Sequence, residues 1–282
     1  MIRAFQIAFL SCLALFLIGC RSSEQIEPKP EQVKIGDMAP SYKGKQPTAE
    51  LLNTVSFDVY IFEIPADNII KLSDAWRMLY IKPLRFTDYN AFQANSFIVR
   101  FGQISALDTI HDLLNAAGGQ KILTVSLLLP DSQAIDLTIT GLNKSQSISF
   151  IAPNGSKQGA TIGPGILVLR IQAEQVPQLR SKCNLIAYPV FTTTIKSSIP
   201  ELAARAKFRE FQFSSAAFGL KMGPGDFIML GPEKYISDQS SLGSLFFSKP
   251  EGSLFFSSPE HGVPKVKTAV RIFLLVCSRI NY

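Results

Sequence analysis

In FDVYIFEI, residues 57 to 64, Phe57, Val59, Ile61 and Glu63 alternate with Asp58, Tyr60, Phe62 and Ile64, and both sets are mostly apolar. A strand that can bury either face belongs in a sheet interior. Pro65 follows, and Ile69, Leu72, Trp76 and Leu79 then recur at spacings of three and four, which predicts a helix with the tryptophan on its buried stripe. A strand at Ser96–Phe101 leads to a second helix. There Ser105 and Asp108 form an S-x-x-D start signal, Leu107, Ile110 and Leu114 make the apolar face, and Gly118-Gly119 stops it. His111 falls at the edge of that face, as a partly covered helix residue rather than a ligand. Residues 53–119 read as a small α/β module.

Beyond Gly119 the helical period disappears. KILTVSLLL, DLTI, SISFI, ILVLRI, NLIAYPVF, FREFQF, DFIML and VRIFLLV are β-rich runs separated by turn signals such as Pro130-Asp131, Pro153-Asn154-Gly155 and Gly163-Pro164-Gly165. Residues 120–282 read as a mainly antiparallel β domain, a meander or sandwich, with one helix expected at Ser197–Lys207. The fold class is α+β.

The first residues, MIRAFQIAFLSCLALFLIGC, carry one charge at Arg3 and an apolar run from Ala4 to Ile18. That run is shorter than the roughly 20 residues a spanning helix needs, so it predicts a signal peptide. Leu17, Ile18, Gly19 and Cys20 resemble the bacterial lipoprotein box, which implies cleavage after residue 19 and acylation of Cys20. Residues 20–52, rich in Pro, Lys and Glu, then form a flexible tether. With each buried methylene contributing about 0.8 kcal/mol, two acyl chains hold a protein stably on a membrane. Arg21, where inner-membrane lipoproteins carry aspartate, points to the periplasmic face of the outer membrane.

Composition narrows the chemistry. The chain has 28 Lys and Arg against 22 Asp and Glu, a formal charge of +6, but the basic residues are scattered, and a nucleic-acid partner is not expected. There are two histidines, His111 and His261, too few for a zinc centre or a histidine-based triad. No phosphate loop, nucleophile elbow or H-E-x-x-H occurs, and Gly163-Pro164-Gly165 and Gly223-Pro224-Gly225 precede no helix. Arg209 and Glu210 read as separate surface charges. The expectation is a non-enzyme with no catalytic residue, metal or cofactor. Cys183 and Cys277 remain after the N-terminal cysteines are accounted for. They are candidates for a disulfide, worth about 4 to 5 kcal/mol for a loop that long, or else two buried strand cysteines packing as small hydrophobes.

MGPGDFIMLGP from Met222, LGSLFF at 242–247 and VKTAVRIFLLVCSRI at 266–280 follow one another in an order that resembles the C-terminal core of bacterial secretins, the outer-membrane ring channels of secretion and pilus machines. Gly225–Gly231 are similar to their turn-and-strand, Leu242–Phe246 to their Leu-Gly-x-Leu-Phe element and Val270–Arg279 to their last strand. KCNLIAYPVFTT, with Pro189, is similar to a proline-bearing strand of the same core. The resemblance covers residues from about Lys121 onward, and WRMLY and NSFIVRFG are similar to ring-building modules found beside it. It implies a secretin-like, lipid-anchored subunit of an envelope assembly, partnered by its own copies or other envelope proteins. The alternative is a monomeric periplasmic adaptor. A nine-residue unit, Gly-Ser-Leu-Phe-Phe-Ser-x-Pro-Glu, occurs twice, at Gly243 and Gly252. Flanking serines and prolines predict two short extended edges. The second copy is either a tolerated duplication or an exposed apolar patch at Leu254, Phe255 and Phe256 that meets a partner.

Overall fold

The computed structural model describes residues 53–176, 178–179, 181–193, 210–235, 241–248, 255–256 and 266–281, all within the unit Leu51–Tyr282. Two antiparallel sheets dominate. The inner sheet is built from β1 (Thr54–Pro65), β3 (Phe97–Gln103), β4 (Gln120–Pro130), β12 (Asp226–Pro232) and β15 (Ala269–Asn281), in the order β3-β12-β15-β1-β4. The outer sheet has β2 (Arg85–Phe86), β11 (Phe218–Met222), β9 (Cys183–Thr192), β8 (Gly165–Gln175) and β5 (Ala134–Leu142) in that order, with β10 (Phe211–Gln212) also on β9. β6 (Gln146–Ile151) pairs β7 (Lys157–Ile162), and β13 (Phe255–Phe256) pairs β14 (Val266–Lys267). The helices are α1 (Ser73–Met78), α2 (Tyr89–Ala94), α3 (Ile104–Ala116) and α4 (Leu242–Phe247).

Strand alternation decides which core each residue joins. From β1, Val55, Phe57, Val59 and Ile61 face the outer sheet, as do Phe273, Leu275 and Cys277 of β15; they pack with Leu167, Leu169 and Ile171 of β8 and Leu185 and Ala187 of β9. The intervening residues Phe62, Ile64, Ile272, Leu274 and Val276 face the other way, onto Leu72, Ala75, Leu79, Leu107, Ile110 and Leu114 of the helical layer. The molecule is thus helix, inner sheet and outer sheet in three layers. Double-sided apolarity in FDVYIFEI and VRIFLLV is what a sheet covered on both faces requires.

The mainly antiparallel α+β architecture is as expected; its internal boundaries are not. Residues 53–119 do not stand apart from 120–282, because β1 lies between β15 and β4 while β3 pairs β12, so strands of both regions alternate in one sheet. Sequence-adjacent periodicity cannot reveal such long-range pairing. After Pro65 the chain forms a 3-10 turn, Ala66–Leu72, before α1. The buried stripe is therefore Leu72, Ala75 and Leu79, with Trp76 only half-buried. Asn68 Nδ2 donates to the Ala117 carbonyl at 2.8 Å, capping α3 from that turn. α3 itself starts at Ile104 directly from β3, with no side-chain cap, so Ser105 lies inside it and the S-x-x-D signal is unused.

LGSLFF is a helix rather than an extended edge. Ser241 accepts from Ser244 N at 3.2 Å, and all six residues of α4 are buried. Phe246 and Phe247 stack around Phe97 at 5.1 and 5.0 Å and reach Phe273 at 6.0 and 6.3 Å. Gly243 has no room for a side chain, since a Cβ there would run into the Asn95 carbonyl. The second copy of the nine-residue unit contributes the backbone of β13. FREFQF yields only the short β10 among its described residues, and the helix expected at Ser197–Lys207 lies outside them.

Candidate functional site

β4 is hydrogen-bonded to β1 along one edge and, among the described residues, is the last strand of the inner sheet on its other edge. Its sequence is QKILTVSLLLP, and only Leu127 and Leu129 are buried beneath it. Ile122, Leu123 and Leu128 remain 43%, 51% and 58% exposed. Among the described residues no strand pairs with this edge; proteins normally shield such an edge with charge, proline or a bulge, and β4 has a one-residue register slip between Leu123 and Lys121 and ends at Pro130. Lys121 is the one charged side chain on this strand, its Nζ 5.4 Å from the Tyr60 ring centroid. The opposite edge, β3, is partly covered by a bridge from Tyr80 to Phe101.

A second feature joins the two sheets. β9 starts at Cys183 beside Met222, the end of β11; the turn Gly223-Pro224-Gly225 then crosses to β12 in the inner sheet. Gly225 takes a φ of +84°, a conformation glycine adopts without strain, and its N–H donates to the Cys277 carbonyl at 2.8 Å. Asp226 locks the turn, accepting from Gly223 N at 2.7 Å and from Lys182 Nζ at 3.0 Å. Cys183 and Cys277 meet here as free, fully buried thiols. Cys183 Sγ donates to the Met222 carbonyl at 3.6 Å. The hydrogen bond to Cys183, followed by burial, pushes the Cys277 thiol far above its ordinary range, and the same bond lowers Cys183 against the opposing effect of burial. The sequence offered both a disulfide and two buried thiols; the structure holds the thiols, brought together across the sandwich.

The outer sheet's solvent face carries a groove of about 560 Å³ lined by Arg85, Phe86, Glu174, Ile186, Gly219 and Lys221. Farther along that sheet Arg170 makes two forked ion pairs: to Asp136 at 2.7 and 2.8 Å, and to Glu210 at 2.7 and 3.1 Å. These bonds hold Arg170 firmly in its charged form. Glu210 is therefore fastened to β8 rather than being an isolated surface charge. Between the sheets, Glu63 and Arg271 are register partners on β1 and β15, with Nε to Oε1 at 3.3 Å, and Arg271 Nη1 donates to the Ile139 carbonyl of β5 at 2.9 Å. Sequence reading missed both arginines, because each acts on partners distant along the chain.

His111 is partly covered, its ring 5.6 Å from Tyr60 and 5.4 Å from Phe62. Both glycine-proline-glycine turns lead into strands, β8 and β12. Leu17, Ile18, Gly19, Cys20 and Leu254 lie outside the described residues, and for Phe255 and Phe256 only the backbone pairing with Lys267 and Val266 is described. Among the described residues no cluster of three or more His, Cys, Asp or Glu is arranged for a metal ion, and no helix is long and apolar enough to cross a membrane. No protein-family model matches the chain, and no curated protein or solved structure matches it.

Proposed function

We propose that the chain is a non-enzymatic, lipid-anchored subunit of a secretin-like envelope assembly, held at the outer membrane through acylated Cys20 and associating through strand edges. The observation that carries this reading is β4, which among the described residues is an edge strand with three exposed large apolar side chains. Such an edge is costly to leave in water and is the usual substrate for strand addition between chains. The segments that resemble the secretin core also support it. Gly225–Gly231 and Val270–Arg279 lie side by side as β12 and β15, with Ile228 opposite Leu275, and Phe246 of the Leu-Gly-x-Leu-Phe element packs on Phe273. The three motifs thus form one contiguous unit.

Two measurements on the full chain test this. Palmitate labelling should mark the wild-type protein and not Cys20→Ser. Detergent-extracted protein should sediment, and run on an unboiled gel, as a multi-copy species. A single-copy band would overturn the assembly in favour of a monomeric adaptor, and label retained by Cys20→Ser would overturn the anchor.

A further inference from the structure

We infer that Cys183 and Cys277 close into a disulfide that staples the outer sheet to the inner sheet when the chain folds in the presence of a disulfide oxidant. The staple is independent of how copies of the chain associate. Cys183 opens β9 in the outer sheet, and Cys277 lies near the end of β15 in the inner one. Packed sheets stand about 10 Å apart over most of their area, beyond the roughly 4.4 to 6.8 Å between Cα atoms that a disulfide spans. At this corner the chain draws them together. Cys183 is the register partner of Met222, and three residues on Gly225 donates its N–H to the Cys277 carbonyl at 2.8 Å, so one short turn links the backbones of both cysteines. Gly223 sits so close to the Ser181 carbonyl that a Cβ there would collide with it. Ser278, immediately after Cys277, is the extra residue of a bulge in the pairing of β15 with β1, a feature that bends a strand and re-aims its side chains.

The thiols are already in contact. Cys277 donates to Cys183, and Cys183 Sγ donates to the Met222 carbonyl at 3.6 Å. Both side chains are wholly buried in the core that the two sheets share. The bond forms by exchange: the Cys183 sulfur attacks a disulfide of the oxidant and releases one of its thiols, and Cys277 then attacks Cys183 and releases the other. The two sulfhydryl protons end on the two released thiols, so the oxidant carries away the two electrons that the cysteine pair loses. Because neither sulfur is exposed in the folded chain, exchange precedes closure of the corner during folding. The closed loop runs from β9 to β15 and therefore restrains a long stretch of the unfolded chain.

The test uses the full chain in detergent with Cys12→Ser and Cys20→Ser, which leaves Cys183 and Cys277 as its only thiols. After refolding from urea with reduced and oxidised glutathione, a tryptic digest made without reductant should contain Cys183–Lys196 joined to Ile272–Arg279, and dithiothreitol should separate the two. The same reductant should lower the urea midpoint of this chain by about 1 M and leave that of a chain also carrying Cys277→Ala unchanged. Two free thiols after refolding, glutathione retained on Cys183, or a link between copies in place of the internal one would overturn the disulfide. A linked chain whose midpoint ignores dithiothreitol would overturn the staple. The digest needs no variant at either cysteine, so a poorly folding Cys277→Ala leaves it decisive.

Discussion

β15 and β4 carry apolar runs of similar strength, VRIFLLV and KILTVSLLL, and only β1 separates them in the same sheet. Their surroundings are opposite. β15 has a strand on each side, the helical layer on one face and the outer sheet on the other, so Ile272 through Cys277 are all buried. Among the described residues β4 has one strand neighbour, and its N-terminal half is almost wholly exposed. The difference teaches that a hydrophobic run specifies a strand, whereas its position in the sheet order specifies whether that strand is core or exposed.

Truncation should separate the two most sharply. Phe273→Ala removes a fully buried ring at the meeting point of α4 and β15 and should cost about 3 to 5 kcal/mol in urea unfolding. Leu128→Ala, on β4, should change the stability of a single copy by no more than about 0.5 kcal/mol. Comparable losses at the two positions would mean that β4 is as enclosed as β15, and the comparison would fail.

A smaller effect is expected where β15 carries charge. Glu63→Gln leaves Arg271 enclosed without its carboxylate, although the Ile139 carbonyl still accepts one bond, and should cost about 3 kcal/mol. Replacing both residues together, Glu63→Met with Arg271→Leu, should recover most of that loss, because the charge and its desolvation disappear with the pair. A double variant no more stable than the single one would show that the ion pair is needed to tie β15 to β5.

Local signals were legible where chemistry and structure share a short range. The α3 face of Leu107, Ile110 and Leu114, the glycine-proline-glycine turns and the interior character of β1 and β15 all follow from neighbours along the chain. Pairing was not. Nothing in KILTVSLLL says that it ends the sheet order among the described residues, and nothing near Arg170 points to Glu210, which is a bonding partner only because β8 and Glu210 meet in space. α4 failed for a different reason. Ser241 supplies a start signal at short range, but the Leu-Phe-Phe repeat and its flanking prolines suggested extended chain, and burial against Phe97 and Phe273 prevailed. For the lipid anchor and the partner contact at Leu254, the relevant residues fall outside those described.

The weakest expected effect lies on the helix-facing side of β1, where His111 touches Tyr60 and Phe62. Its Nε2 is buried and lacks a hydrogen-bond partner among the described residues. Burial, with help from Lys121, lowers its pKa below the ordinary 6.5, and Asp108 and Asp112 pull the other way. The folded chain therefore prefers the neutral ring. As pH falls below 6.5 the unfolded chain takes up the proton first, so the stability contributed by neutral His111 is full above that point and is lost as pH drops toward the folded value. His111→Gln should flatten the fall in urea midpoint between neutral pH and about pH 5, with little change at pH 8. Lys121→Gln should raise the imidazole pKa read by NMR, since it removes the cation next in importance to burial. An unchanged midpoint slope in His111→Gln would assign the acid sensitivity to other groups, and an unchanged imidazole pKa in Lys121→Gln would place the β4 ammonium too far from the helical layer to be felt there.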